Sequence, residues 1–210
     1  MKNSNYSIIR EGEYKRLQDI VLDGAVLDIG GSTRSGYHGL IKGKHKITTV
    51  NIDPTYGCDM VFDVQKKFPL ENESYEGIVC LNVLEHIFGF QNVFSESARV
   101  LKKGGVMVIS TPFLFRVHGS PDDYFRYTKS ALNQLLTDSG FVDIQIEEIG
   151  RGVFSLLFQT IGGTLPMRLL RTTGKDVSIS LDSFLCKISR RYGKFALRIP
   201  LGYFVTARKA

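Results

Sequence analysis

The chain has 210 residues, 43% of them hydrophobic, enough for one substantial core, so it reads as a single domain, 1–210, with additions. Cys58, Cys80 and Cys186 stand apart with no CxxC pair, and the four histidines show no HExxH spacing, which argues for a reducing cytoplasm, against a disulfide framework, and leaves no metal site assigned. Early charged residues argue against a signal peptide and no apolar run reaches the length of a membrane span; the net charge of +6 lies almost wholly between Val153 and Arg198.

Residues 11–23 carry Tyr14, Leu17, Ile20 and Val21 at helical spacing and predict an amphipathic helix. VLDIGGSTRSG, Val26 to Gly36, then reads as a buried strand that contains Asp28 and ends at Gly30 and Gly31, where a ligand can approach backbone that lacks a Cβ. An ordinary tight turn is the plainer alternative. KITTVNIDP, 46–54, ends at Asp53, 25 residues after Asp28, an interval that fits a turn, a helix and a second parallel strand. Side by side, the two strand ends would let Asp53 accept both hydrogens of a ribose diol, in NAD as well as in any other adenosyl cofactor.

Gly36, Gly39 and Gly43 predict that the helix over 34–43 is short or irregular. A third apolar piece runs from Asp59 to Val64 through Asp63, and after a polar crossing Ile78–Leu81 is a fourth buried strand that releases Asn82 to His86 at its end. Val93, Phe94, Ala98, Val100 and Leu101 mark a covering helix ended by Lys102 to Gly105, and VMVIS, 106–110, is a fifth strand ended by Pro112. The loop FLFRVHGSPDDYFRYT is a surface excursion or a substrate lid; Thr128 then caps a helix that Gly140 closes, and FVDIQIEEI alternates as a sixth strand. After Gly152 the rhythm breaks into the insert 153–198, which is apolar first, interrupted by Gly162, Gly163 and Pro166, and then basic; GYFVTARK, 202–209, is the last strand.

VLDIGG, NIDP, the acid Asp63, IVCLNVLEHI and LKKGGVMVISTPF, in that order, resemble the class I S-adenosylmethionine-dependent methyltransferases, of the methyltransferase type 11 or UbiE/UbiG-like group. The resemblance covers roughly residues 24–150 plus the last strand. It implies an α/β, Rossmann-like, mostly parallel seven-stranded sheet in the order 3-2-1-4-5-7-6, with the last strand antiparallel, helices on both faces and a helical insert before that strand. It also implies S-adenosyl-L-methionine as cofactor, with Gly30 and Gly31 beside the methionine moiety, Asp53 on the ribose, Asp63 and Val64 at the adenine, backbone near Asn82 bordering the methionyl part, and Asp28 orienting the turn or the amino group. The sequence departs from the family's DxGxGxG pattern at Ser32 and Arg34.

Methyl transfer from a sulfonium needs an aligned nucleophile and exclusion of water, with a general base where the acceptor is a hydroxyl. His86, just past the fourth strand, is the first candidate base and His118 the second, the plainer reading of His86 being a tie between loops. PDDYFRYT resembles a motif of methyltransferases of glycan and cell-surface biosynthesis, which makes Tyr124, Arg126 and Tyr127 substrate-side candidates; the plainer reading is that the aromatic residues pack and Arg126 pairs with Asp122 or Asp123. The expected activity is methyl transfer to an O or N nucleophile of a small molecule, glycan or lipid-linked intermediate. A methyltransferase-like binding protein without catalysis and an NAD-dependent oxidoreductase are the rivals; no separate recognition module argues for nucleic acid. The insert is expected to be a mostly helical cap, with an anionic membrane surface as a further partner.

Overall fold

The computed structural model describes residues 7–119, 122–165 and 168–210. Pro121 in the loop, and Pro166 and Met167 in the insert, lie outside the described residues, as do the side chains of Arg168 and Leu169. Seven strands form one sheet: β1 (Gly24–Ile29), β2 (His45–Asn51), β3 (Met60–Val61), β4 (Tyr75–Leu81), β5 (Leu101–Pro112), β6 (Phe141–Arg151) and β7 (Pro200–Lys209). Their order is β3-β2-β1-β4-β5-β7-β6, with β7 antiparallel to both neighbours and the other pairs parallel.

The near-continuous apolar runs of the central strands follow from burial on both faces. Leu27, Ile78, Cys80, Met107, Ile109, Tyr203 and Val205 join one buried cluster, while Val26, Val79, Val108 and Phe204 join the other, as side chains alternating along a strand must. The first cluster is closed by Phe94 of α2 (Phe90–Val100) and Leu132 and Leu136 of α3 (Lys129–Asp138). The second is closed by Ile8, Ile9 and Leu17 of α1 (Ile8–Leu17) and by the insert. Thr128 caps α3 through its hydroxyl, which accepts from the Ala131 amide at 3.2 Å.

The N-terminal helix differs from the expected 11–23. It starts earlier because Ser7 caps it, accepting from the Arg10 amide, and it stops at Leu17; Leu22 then donates to Lys42 O at 2.9 Å, already on the way into the sheet. The expected covering helix likewise gives way earlier, and Leu101 to Gly105 belong to β5, with an irregularity where Tyr75 pairs with Leu101.

The insert holds α4 (Val153–Ile161), α5 (Arg168–Ile188) and α6 (Arg190–Ala196). Asp182, 3% exposed, ties the three together: it accepts from the Phe154 and Ser155 amides at 3.2 and 2.6 Å and from the Tyr192 hydroxyl. Lys175 on α5 reaches Glu11 on α1 at 2.6 Å, so the insert is pinned to the N-terminal helix. Leu170, Val177, Leu181, Phe184 and Ile188 nevertheless form an exposed stripe along α5. Among the described residues, no helix is long and apolar enough to cross a membrane.

A buried polar node links α1 to the strand ends. Glu13, 1% exposed, accepts from Ser110 Oγ on β5 at 2.6 Å and from Asn82 Nδ2 at 2.7 Å. Burial raises the Glu13 carboxyl above its ordinary value, against the hydrogen bonds of Ser110 and Asn82 that pull it down. The carboxyl thus titrates near 4.5 in the unfolded chain and higher in the folded one, so wild-type stability falls as pH rises from 4.5 toward the raised folded value. Glu13→Gln keeps an acceptor oxygen but has no charge to desolvate. Thermal melts from about pH 4 to about pH 8 should show the Tm of the variant gaining on the wild type as pH rises; a difference constant over that range would contradict the assignment.

Candidate active site

The carboxyl ends of β1, β2 and β4 open into one cleft of about 830 Å³, within the range of small-molecule pockets. Gly30, Asn51, Asp53, Phe62, Asp63, Val64, Asn82, His86 and Tyr124 are among its lining residues.

Gly30 forms the wall nearest β4. Its φ is +77° and a Cβ there would come within 2.3 Å of Val83 Cγ2, so the position needs glycine both for backbone conformation and for space. Gly31 packs differently, with a Cβ position 1.9 Å from Asp28 Oδ2. It lies behind the lining rather than in it, and so does Asp28, which is 0% exposed. The Asp28 carboxylate is held by Tyr37 Oη at 2.7 and 2.9 Å and His38 Nε2 at 2.6 Å. Burial raises its pKa, opposed by those same partners, while burial beside that carboxylate pushes the Tyr37 phenol far above its ordinary value. Asp28 therefore anchors the turn from beneath.

At the far wall, Asp53 caps the short 3-10 turn Pro54–Tyr56, with Oδ1 accepting from the Thr55 amide at 2.8 Å. Those Thr55 bonds lower its pKa, which keeps a charged carboxylate at the rim. Asp63 uses Oδ1 in the same way for the Gln65 amide at 2.9 Å, and Val64 and Phe62 supply apolar surface beside it. Asn82 sits between the two walls at φ +54°, a left-handed conformation uncommon for any residue but glycine, held by its own amide to Ser110 O at 2.8 Å and by the Glu13 contact.

The third wall comes from a short helical turn and the loop folded over it. Leu84–His86 accepts the loop through Glu85 O, which takes the Tyr124 amide at 2.7 Å, and through Leu84 O, which takes the Tyr127 hydroxyl at 3.1 Å. His86 donates from Nδ1 to Asp122 O at 2.6 Å, a role assigned from geometry, which leaves its Nε2 lone pair unspent. His118 lies against it, with ring centroids 5.0 Å apart. Burial lowers the pKa of His118, with Asp123 pulling the other way.

Of the expected substrate residues, Tyr124 lines the cleft; Arg126 and Tyr127 do not. Arg126 is engaged by both Asp123 oxygens and by the carbonyls of Phe125 and Arg116. Tyr127 is buried at 4% exposure among Phe90 and Phe125. Both follow the plainer reading, because an aromatic loop that must dock on the sheet spends its rings and its cation on packing.

Glu85 went unassigned in the sequence, yet it is 0% exposed and neither carboxylate oxygen has a hydrogen-bond partner. Burial pushes it up to about 8, opposed by its own backbone amide, with Glu13 adding repulsion. An acid in the middle of the apolar stretch LNVLEHI was the available signal. Tyr37, His38 and Glu13 carried none, since their roles depend on contacts across the fold.

Residues 27–109 match the family model of the methyltransferase domain. Those residues, from Leu27 in β1 to Ile109 in β5, are thus similar to a methyltransferase domain. Among solved structures, phosphoethanolamine N-methyltransferase 2 of Haemonchus contortus, in complex with S-adenosyl-L-methionine, superposes with a TM-score of 0.61 at 16% identity over 95% of this chain and 52% of its own. This chain thus spans about half the length of that enzyme. A SAM-dependent methyltransferase from Archaeoglobus fulgidus matches at TM-score 0.61 and 17% identity, over 95% of this chain and 94% of its own. The [4+2]-cyclase SpnF matches at 0.59 and 15%, over 99% and 85%, so the fold by itself does not dictate the reaction. No curated protein sequence is detectably similar to the chain. The match to a methyltransferase domain model weighs against the NAD-dependent reading, as does a turn without GxGxxG.

The cleft has parts that fit an adenosyl cofactor: a glycine wall, two rim carboxylates and an apolar slot between them. Gly30→Ala should weaken S-adenosylhomocysteine binding by about tenfold or more and cost about 1–3 kcal/mol of stability through backbone strain. Gly36→Ala, where a Cβ meets nothing within 4 Å, is the control and should leave both unchanged. Equal behaviour of the two variants in calorimetry and thermal melts would refute the role given to Gly30.

Proposed function

We propose that the protein transfers a methyl group to an O or N nucleophile of a small molecule, a glycan or a lipid-linked intermediate, presented at the His86 end of the cleft. S-adenosylmethionine, when bound, supplies the electrophilic methyl group; Gly30, Asp53, Asp63, Val64 and Asn82 are proposed to hold it, with Asp28 and Gly31 supporting the turn from behind. The residues on the acceptor side then have to align the nucleophile, draw on its proton and keep water out.

The observation that carries this reading is the orientation of His86. Its Nδ1 is tied to Asp122 O at 2.6 Å, which orients the ring and leaves Nε2 as the nitrogen for chemistry, in a cleft that also contains Gly30 and Asp53. His118 backs it, and Tyr124, hydrogen-bonded through its hydroxyl to Asp122 Oδ2 at 2.9 Å, fixes the rim. The three free cysteines are in keeping with a reducing cytoplasmic setting.

Release of S-adenosylhomocysteine from S-adenosylmethionine, followed over a panel of sugars, phenols and lipid-linked sugars, finds the acceptor. His86→Ala should then lower kcat by about 10²–10⁴-fold with the affinity for S-adenosylhomocysteine little changed. An unaltered kcat would remove His86 from the chemistry.

A second reading concerns the insert. The stripe of Leu181, Phe184 and Ile188 on α5 is exposed beside Lys187, Arg190, Arg191 and Lys194, an apolar line flanked by positive charge. That combination matches an anionic lipid surface. Co-sedimentation with phosphatidylserine vesicles should exceed that with phosphatidylcholine vesicles and fall with salt; a protein left in solution with both would return the insert to a cap.

A further inference from the structure

We propose that Glu85, His86 and His118 hold a divalent first-row cation beside the cofactor cleft, and that the acceptor's nucleophilic atom joins as a further ligand. The proposal deepens the function given above and rests on it for the acceptor, but the cation site itself stands on the geometry of three side chains.

Each of the three offers one ligand atom, and all of those atoms lie within 4.8 Å of one another. His86 Nε2 is 3.8 Å and His118 Nε2 3.9 Å from the same oxygen, Glu85 Oε1. A tetrahedral ion with bonds of about 2.0–2.1 Å needs ligand atoms about 3.4 Å apart, so each imidazole would move about half an ångström toward Glu85, and the most separated pair of ligand atoms would close by as much as about 1.4 Å. Two imidazoles and one carboxylate suit Zn²⁺, Co²⁺ and their neighbours and leave positions open for a substrate ligand.

The surroundings are those of a ligand set rather than of a packed core. The Glu85 carboxylate is fully buried with both oxygens unpartnered, which is a costly arrangement unless a cation or a proton compensates it. His86 has its other nitrogen on a backbone carbonyl, which fixes the tautomer that exposes Nε2. His118 has Nδ1 3.3 Å from Asp123 Oδ2, an ion-pair distance although its angle falls short of a hydrogen bond. Asp123 is in turn held by Arg126 and by the His118 amide. An imidazole oriented by a carboxylate or carbonyl on its far side is how histidine ligands are commonly set. The cluster also explains why Arg126 turns away from the cleft: it supports Asp123 from behind.

His86 lines the cleft and Glu85 and His118 stand against it, so a cation there would meet an acceptor at the cleft's edge. An acceptor hydroxyl bound to the cation becomes more acidic and is drawn into line, and the two histidines then act on the acceptor through the cation instead of as free bases. No HExxH or CxxC spacing announces the site, because its third ligand comes from a loop 32 residues further on.

The test is direct binding of the metal alone. Chelator-stripped protein titrated with Zn²⁺ and with Co²⁺ should take up one ion per chain, Co²⁺ giving the visible absorption of a site with nitrogen and oxygen ligands. Glu85→Gln and His118→Ala should each lose more than the about 10–100-fold in metal affinity that an outer-shell partner costs, while still binding S-adenosylhomocysteine, which shows that they are folded. Absence of stoichiometric uptake by the wild type, or uptake undiminished in both variants, overturns the proposal. If no ion binds and His86→Ala still abolishes methyl transfer, the cation falls and the function stands; if the ion binds but no acceptor is methylated, the site stands and the function falls.

Discussion

A buried carboxylate sets the geometry on which the site depends. Asp28 sits at the end of the central strand with no exposure, and its charge is carried by the Tyr37 hydroxyl and the His38 ring, both from the segment that returns after the glycines. Burying a carboxylate is tolerable only when its oxygens are engaged, so these bonds force the chain after Gly31 to fold back over the strand. Gly30, thereby fixed at positive φ against Val83, leaves the end of β1 open to a ligand. The Gly30 amide to Val50 O at 2.8 Å links that turn to β2, and so to the carboxylate of Asp53.

The same pattern recurs on the other side of the cleft. Glu13 reaches from α1 to fix Asn82 in its strained conformation, and Glu85 lies under the turn that accepts the loop. The engagement differs, however. Glu13 and Asp28 have side-chain hydrogen-bond donors, while Glu85 has none among the described residues and lies within 4 Å of both histidines. Two of these buried acids thus shape the cleft, and the third is the one on which the proposed cation site rests. The loop aromatic residues complete the division of labour, since Phe125 and Tyr127 pack against Phe90 while only Tyr124 is left at the rim.

Much of the fold was legible because strands buried on two faces announce themselves as apolar runs, and β1, β4, β5 and β7 do, while β2, HKITTVN, was marked by its β-branched residues and the acid that follows it. Their order came from the resemblance, since periodicity says nothing of which strand lies beside which. The N-terminal helix was misplaced where local patterns mix: Ile20 and Val21 continue a helical spacing by accident while belonging to the approach to β1, and Ser7 as a cap was overlooked. In the site, residues at strand ends were readable, because the parallel topology brings Gly30, Asp53 and Asn82 to one edge. Contacts between distant segments were not: Glu13 with Asn82, Tyr37 and His38 with Asp28, and His118 with Glu85 each depend on tertiary geometry. Arg126 was the opposite case, a charge whose type suggested a substrate while its neighbour Asp123 had already claimed it.

The central claim is that the edge formed by β1, β2 and β4 is an adenosyl site belonging to a methyltransferase. Parallel calorimetric titrations of the wild-type protein with S-adenosylhomocysteine and with NAD test it most directly, because both ligands carry a ribose diol of the kind proposed for Asp53 but only one belongs to methyl transfer. The account predicts one S-adenosylhomocysteine bound per chain and no saturable heat with NAD. Saturable binding of NAD, with none of S-adenosylhomocysteine to a demonstrably folded protein, would contradict it.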